Sequence, residues 1–375
     1  MGGSPPPSDV EGQRRQKALD DNAGNISRAA VALGLPRQTL QSWLHKQEED
    51  APDGYRIRGT STLYGPNGDV RLTWVKTRED AERQEQMIRE TIAALASEIE
   101  PATKTATPAH IDDDLLVGYL IGDAHLGSYA WGAECSGGNF DLSIAERDIW
   151  AAVDRLVAST PDAAEALIAN LGDWFHTDTS KPFTPASGNL LDIGDSRWPK
   201  VVNVGVQLLR RICVRALEKH KIVRLRNAKG NHDPHSAIIL DIAMKAYFEN
   251  EPRLIVEDSP RDLFFFRFGS NLVGITHGHN VKPENLPGLL AVDARKEWGA
   301  CEFRFIWAGH FHAKKVLDIM GTIVTIWPTL AAPDKWHTDK GYRSAKEMTA
   351  VVLHRDFGKI EEHIAGLKQV RSQHV

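Results

Sequence analysis

The chain has 375 residues, 42% hydrophobic and 25% charged, with a net charge of −5; this excludes the disordered and fibrous classes and allows two or three domains. Cys135, Cys213 and Cys301 lie far apart with no Cys-x-x-Cys pair, which argues against a disulfide framework or a cysteine-held zinc and fits a reducing cytoplasm. No apolar run approaches the ~20 residues that span a bilayer, and Met1 to Val10 lacks the basic start and apolar stretch of a secretory signal.

Residues 1–11 read as a disordered tail. Over 12–50 the pattern is helical, broken by polar Asn22 to Asn25. Ala29, Ala30 and Leu33 then sit at helical spacing, Gly34 stops the helix, and Pro36 suits the first turn of the next. Leu40, Trp43 and Leu44 give that second helix one apolar face and leave Arg37, Gln38, Gln41 and Ser42 on the other. The arrangement resembles the helix-turn-helix of bacterial DNA-binding proteins, whose second helix enters the major groove. It implies DNA as a partner, with Arg37 able to pair with guanine, Gln38 or Gln41 with adenine, and Ser42 beside them. A protein-docking hairpin, or a homodimer contact through this region, stays open. Residues 13–78 carry 11 Lys and Arg against 7 Asp and Glu, so a +4 front precedes a −9 body, as nucleic-acid binding favours.

Residues 51–100 read as a β-hairpin and a charged helix. Val70, Leu72 and Trp74 alternate with Arg71, Thr73 and Val75, and Pro66-Asn67-Gly68-Asp69 is a turn signal. Such a hairpin would be a wing. Thr77-Arg78-Glu79-Asp80 reads as a capping box opening a helix with Ile88, Ile92, Leu95 and Ile99 on one stripe. Residues 101–110 read as a linker, and 111–375 as a second domain.

In that domain, apolar runs rich in branched residues end repeatedly in short polar loops, with helical patterns near 143–158, 199–219 and 236–248 between the first of them. This is βαβ logic, in which ligands gather at the carboxyl ends of strands. Five loops deliver Asp, Asn or His in order: Asp123-x-His125, Gly172-Asp173, Gly230-Asn231-His232-Asp233, Thr276-His277-Gly278-His279 and Gly309-His310-x-His312. Carboxylates and imidazoles without thiolates suit manganese, iron or zinc.

This order resembles the calcineurin-like metallophosphoesterases over roughly 111–375. The resemblance implies a four-layer α/β sandwich with a two-metal site between its sheets, preceded here by the small helix-turn-helix domain. Asp123, His125 and His312 would hold one divalent ion; Asn231, His277 and His310 would hold the second; Asp173 would bridge. Manganese is the expected metal. His232 would face the phosphate, with His176 orienting it. Gly172-Asp173-Trp174-Phe175-His176 lacks the acidic-arginine pair of the serine/threonine phosphatases and looks like the DNA repair nuclease branch, although those enzymes place the phosphoesterase domain first. A helix-turn-helix ahead of this domain looks like bacteriophage or prophage DNA-processing proteins. The implied activity is a metal-dependent phosphodiesterase or nuclease acting on DNA. The alternative is a phosphomonoesterase or small-molecule phosphodiesterase with a protein-docking module. A DNA-binding regulator with an idle enzyme domain fits poorly with seven matching ligands. Residues 177–199 form a long loop read either as a substrate rim or as a plain surface excursion. Trp327, Pro328, Trp336 and His337 follow the last motif and either line the same mouth or, as the favoured reading, are buried core.

Overall fold

The computed structural model describes residues 7–22, 25–48, 55–64, 70–79, 104–194 and 197–372. The chain divides into two compact units, 1–95 and 96–375.

The first unit begins with helices α1 (Pro7–Asp21), α2 (Ile26–Leu33) and α3 (Arg37–Glu48). Helix α1 starts inside the segment expected to be a tail. Pro7 has its φ preset for a first turn, and Glu11 pairs with Arg15 one turn later at 2.8 Å. Asn25 caps α2 by accepting from the Arg28 N–H at 3.1 Å. Gly34 ends it at φ 66°, where its N–H meets the carbonyls of Ala30 and Val31. Leu19, Ala29, Ala30 and Leu40 close a small core against Ile26, Leu33 and Trp43. Arg37, Gln38 and Gln41 are exposed on α3. Ser42 lies on the same helix, with its side chain outside the described residues.

Strands β1 (Tyr55–Tyr64) and β2 (Val70–Glu79) pair antiparallel. The capping-box reading fails here. Thr77, Arg78 and Glu79 pair with Ile57, Arg56 and Tyr55, so strand pairing takes the backbone groups that a helix start would leave open. The rest of the expected helix, with its isoleucine stripe, lies outside the described residues, as does the turn at 65–69.

The second unit contains two sheets. The larger runs β13-β12-β3-β4-β5-β6, with β3 (Asp112–Ile121), β4 (Ala163–Asn170), β5 (Ile222–Asn227) and β6 (Leu254–Val256) parallel. Antiparallel β12 (Glu347–His354) and β13 (Gly358–Gly366) form one edge. The smaller runs β10-β11-β9-β8-β7. In it β8 (Asn271–Thr276), β9 (Phe303–Ala308) and β11 (Thr322–Ile326) are parallel, flanked antiparallel by β7 (Phe264–Phe268) and β10 (Lys315–Ile319). Helices α4 (Leu142–Ser159), α5 (Trp198–Leu217) and α6 (Ser236–Tyr247) pack on the larger sheet, and α7 (Leu286–Asp293) packs on the smaller. The layers run helix, sheet, sheet, helix. Residues 104–110 are no free linker: Thr105 donates to Glu251 at 3.2 Å and its carbonyl accepts from Arg253 at 2.6 Å.

The period of two decides which side chains meet. Leu116 and Leu120 of β3, Val273 and Ile275 of β8, and Phe305 and Trp307 of β9 fill the seam between the sheets. Leu272 and Ile306 point the other way, toward Leu286 and Leu290 of α7. Gly118 leaves the gap that Trp307 occupies; a Cβ there would sit 2.7 Å from the indole ring. Trp307 is 2% exposed and has nowhere to retreat. Gly118→Ala should therefore destabilise the chain by about 1–3 kcal/mol through overpacking, read as a lower urea midpoint at unchanged slope. An unchanged midpoint would mean that the seam is loosely filled.

Candidate metal centre at the strand ends

The carboxyl ends of β3, β4, β5, β8 and β9 lie together, and each is followed by one of the five polar loops. The turns are tight. Asp123, His125, Asp173, His310 and His312 have φ between 29° and 70°, and they are five of the six non-glycine residues with positive φ among the described residues. That conformation is strained for an L-residue and persists only where its surroundings hold it. Two glycines make the close approach work. A Cβ on Gly230 would lie 1.8 Å from an Asp173 carboxylate oxygen, and one on Gly172, at φ 99°, would lie 2.6 Å from His277 Nδ1.

Asp123, His125 and His312 bring one ligand atom each to within 4.8 Å of one another, as do Asp173, His277 and His310. His125 Nε2 and His312 Nε2 face each other at 3.0 Å. His277 Nε2 lies 3.2 Å from Asp173 Oδ2 and 3.1 Å from Asn231 Oδ1. The seven ligand positions expected from the sequence thus share one cluster. Asp123, His125, Asp173 and His277 are buried, while Asn231, His310 and His312 are partly open.

Hydrogen bonds aim these groups. His277 Nδ1 lies 2.8 Å from the Leu171 carbonyl, so Nδ1–H donates there and Nε2 turns to the cluster. His310 N–H donates to both oxygens of Asp123, at 3.0 and 2.9 Å. His232 N–H donates to Asp173 Oδ1 at 2.9 Å, and its Nδ1 meets the His176 carbonyl at 2.9 Å. His176 therefore orients His232 through its backbone and by ring stacking at 5.2 Å. Its own Nδ1 instead faces His125 Nδ1 at 3.1 Å. Asp233 ties two loops by accepting from the Phe175 and Gly230 N–H groups.

Burial, with His232 and His312 nearby, holds His125 well below the usual histidine range. Burial and the neighbouring His337 do the same for His312. Burial and His277 lower His310 to about 4; burial and His232 lower His176 to about 3. Burial would raise Asp173, but its partner His277 keeps it well below the carboxylate range. The neutral imidazoles of His125, His310 and His312 beside the ionised carboxylate of Asp173 belong to the donor set that a divalent cation takes, and a cation would displace the proton that His277 holds between the two aspartates, so these residues fit the implied metals.

One neighbour was not singled out in the sequence. Lys346 precedes β12 at the register position opposite Asp123, continuing the pairing Thr349–Leu120. Burial lowers it to about 8 against the pull of Asp123. The residues after the last motif divide between core and mouth, against the favoured expectation that all are core. Trp327 is core between the sheets, but Trp336 is exposed, and His337 stacks on His312 with centroids 4.9 Å apart. The chain leaves the core after β11, and α9 (Lys335–Asp339; α8 is Arg295–Ala300) carries both residues to the site. On the other flank, a cavity of about 460 Å³ opens beside His279 and His310, lined by Phe311, Lys282 and Lys315. The 177–194 segment joins the loop after β3, where Tyr129 N–H donates to the Asp192 carbonyl at 3.0 Å.

Residues 6–43 match the family model HTH_8, bacterial regulatory protein, Fis family; the first unit carries a Fis-type helix-turn-helix. No curated protein matches the chain. The chain is similar to three solved structures at low identity. A predicted phosphoesterase from Streptococcus pneumoniae is 11% identical, covering 67% of this chain and 98% of that one, with a TM-score of 0.28. Vps29 from Entamoeba histolytica, complexed with zinc, is 13% identical over 67% and 99%, with a TM-score of 0.29. An archaeal phosphodiesterase is 11% identical over 66% and 99%, with a TM-score of 0.33. Among the described residues no helix is long and apolar enough to cross a membrane.

The metal-free cluster has a pH signature. Burial would lower His277, but Asp173 and Asp123 raise it to about 10. Burial and Asp173 raise Asp233 to about 8; burial, with Asp173 adding, raises Asp123 to about 7. A folded-state value above the unfolded one means that the native chain holds more protons. The His277 contribution is complete below 6.5 and is lost as pH rises through about 10, while the two aspartates add cost over the range up to about 8. Asp173, lowered, contributes above 3.8 and is constant in this window. With chelator present, the urea midpoint should fall between about pH 6.5 and 8, and added divalent cation should offset the fall; above about 8 the relief of buried Lys346 opposes the continuing loss at His277. A midpoint rising between about pH 6.5 and 8 under chelator would rule this pairing out.

Proposed function

We propose that the chain is a metal-dependent phosphodiesterase that acts on DNA, with the N-terminal helix-turn-helix supplying DNA affinity. The observation that carries the reading is the convergence of seven ligand-type side chains from both sheets, five of them from strained strand-end residues. Asp123, His125 and His312 would hold one divalent ion, and Asn231, His277 and His310 the second, with Asp173 between them. Manganese is the metal proposed, with iron and zinc chemically admissible. A bound pair of divalent ions supplies an activated water at neutral pH and charge neutralisation for in-line displacement at phosphorus.

The chain's own groups do the remaining work. Asp173 Oδ1 accepts from the His232 backbone N–H, and the His176 carbonyl accepts from His232 Nδ1–H. His232 Nε2 is thereby the ring nitrogen turned to the leaving oxygen, to which the imidazolium form would pass its Nε2 proton and return to the neutral ring. His176 sets the tilt of that ring, and its side chain supports His125. Arg37, Gln38, Gln41 and Ser42 would meet DNA from α3, consistent with the matched family.

Chelator should abolish hydrolysis of a chromogenic diester, and manganese should restore it. Asp173→Asn should be inactive and bind cations at both positions more weakly, as calorimetric titration would show. Full turnover by Asp173→Asn would end the two-metal reading, and faster turnover of a monoester than of any diester would favour a phosphomonoesterase.

His232→Ala should keep its metal content and lose roughly 10²–10⁴-fold in turnover. The loss should shrink for esters with good leaving groups, which need little proton donation. Loss of an ion without that leaving-group trend would make His232 a ligand instead.

A further inference from the structure

The aromatic group beside His312 is built as a surface. Asp334 caps α9 through the His337 N–H at 2.8 Å and also bonds His337 Nδ1 at 2.7 Å, so the imidazole is held from two sides against His312. Trp336 and Tyr342 both stand edge-on to that ring, with centroids 5.0 Å away at 84° and 85°. Arg343 fixes the turn by donating to the Thr338 and Tyr342 carbonyls. The neighbouring loop is tied in, with Ser136 N–H donating to Thr338 Oγ1 at 3.1 Å, and it carries the exposed Trp131. Trp336 is 56% exposed, a large planar side chain left in water on a braced scaffold.

A phosphate bound at the cluster fixes where the rest of its strand can lie. The Trp336 ring is one ring contact beyond His337, which itself touches the ligand His312; that is the reach of the nucleotide next to the scissile phosphate. Aromatic side chains bind bases by stacking whatever the sequence, and only an unpaired base has a face to offer. We infer that Trp336, supported by His337 and Tyr342, is a stacking platform for an unpaired base, and that the substrate is single-stranded DNA. The inference rests on the phosphoesterase reading above and adds its substrate class.

The test uses the full chain and a fluorescent thymidine tetranucleotide, which offers no major groove to the helix-turn-helix. Anisotropy in chelator reads binding without turnover. Trp336→Ala should weaken binding at least tenfold, and Trp336→Phe should recover most of it. Phe357→Ala, which removes an exposed ring at the β12–β13 turn at the opposite end of the sheet, should bind like the parent chain. With manganese, kcat/KM of Trp336→Ala should fall at least tenfold further on an oligothymidylate than on a chromogenic diester. A chain that hydrolyses the diester but binds the tetranucleotide equally with and without Trp336 overturns the platform alone. So does equal or tighter use of duplex DNA. A chain that binds through Trp336 yet hydrolyses no ester overturns the phosphoesterase reading and leaves the platform standing.

Discussion

The buried carboxylate of Asp173 is the constraint on which the strand ends depend. It is 1% exposed, accepts from the His232 backbone, and faces His277 and, at 4.0 Å, His125. A carboxylate taken out of water costs several kcal/mol unless donors and opposite charge surround it. Those partners come from the loops after β3, β5 and β8, so the loops cannot be placed independently. The glycines at 172 and 230 are what that crowding requires, since any side chain there would occupy space already held by His277 or Asp173.

The strain of the site and the order of the scaffold belong together. Each residue held at positive φ costs on the order of 1–3 kcal/mol, and the cost is borne by a seam in which Leu116, Leu120, Val273, Ile275 and Trp307 are nearly inaccessible to solvent. A loosely packed pair of sheets would let the strand ends relax into ordinary conformations and would scatter the ligand atoms. Rigidity in the seam is therefore a property of the site as much as of the fold.

The strands and the polar loops that end them were legible in the sequence because they rest on strong local signals, whereas the second sheet and the grouping of the ligand residues were expected only through the family resemblance. A branched apolar run ending in Gly and then Asp or His states both a strand and where it stops. What failed was ambiguous locally. Thr77-Arg78-Glu79-Asp80 has the letters of a helix start, but the backbone of Thr77 to Glu79 is claimed by Tyr55 to Ile57, a pairing no local window contains. Trp327 and Trp336 look alike in sequence, and only the departure of the chain from β11 decides that one is core and the other faces water. His176 was expected to orient His232, but that its backbone carbonyl does part of this could not be read, because such a contact leaves no mark on residue identity.

The spread of the cluster along the chain has a consequence for how the protein is made. His125 and His312, whose rings meet, are 187 positions apart, so on the ribosome the first half of the centre emerges long before its partner exists. Contacts of such separation form late and slowly. A cation that binds only the completed centre then acts as a ligand for the native state and draws folding forward by mass action. The supply of divalent metal would thus govern how much folded protein a cell accumulates.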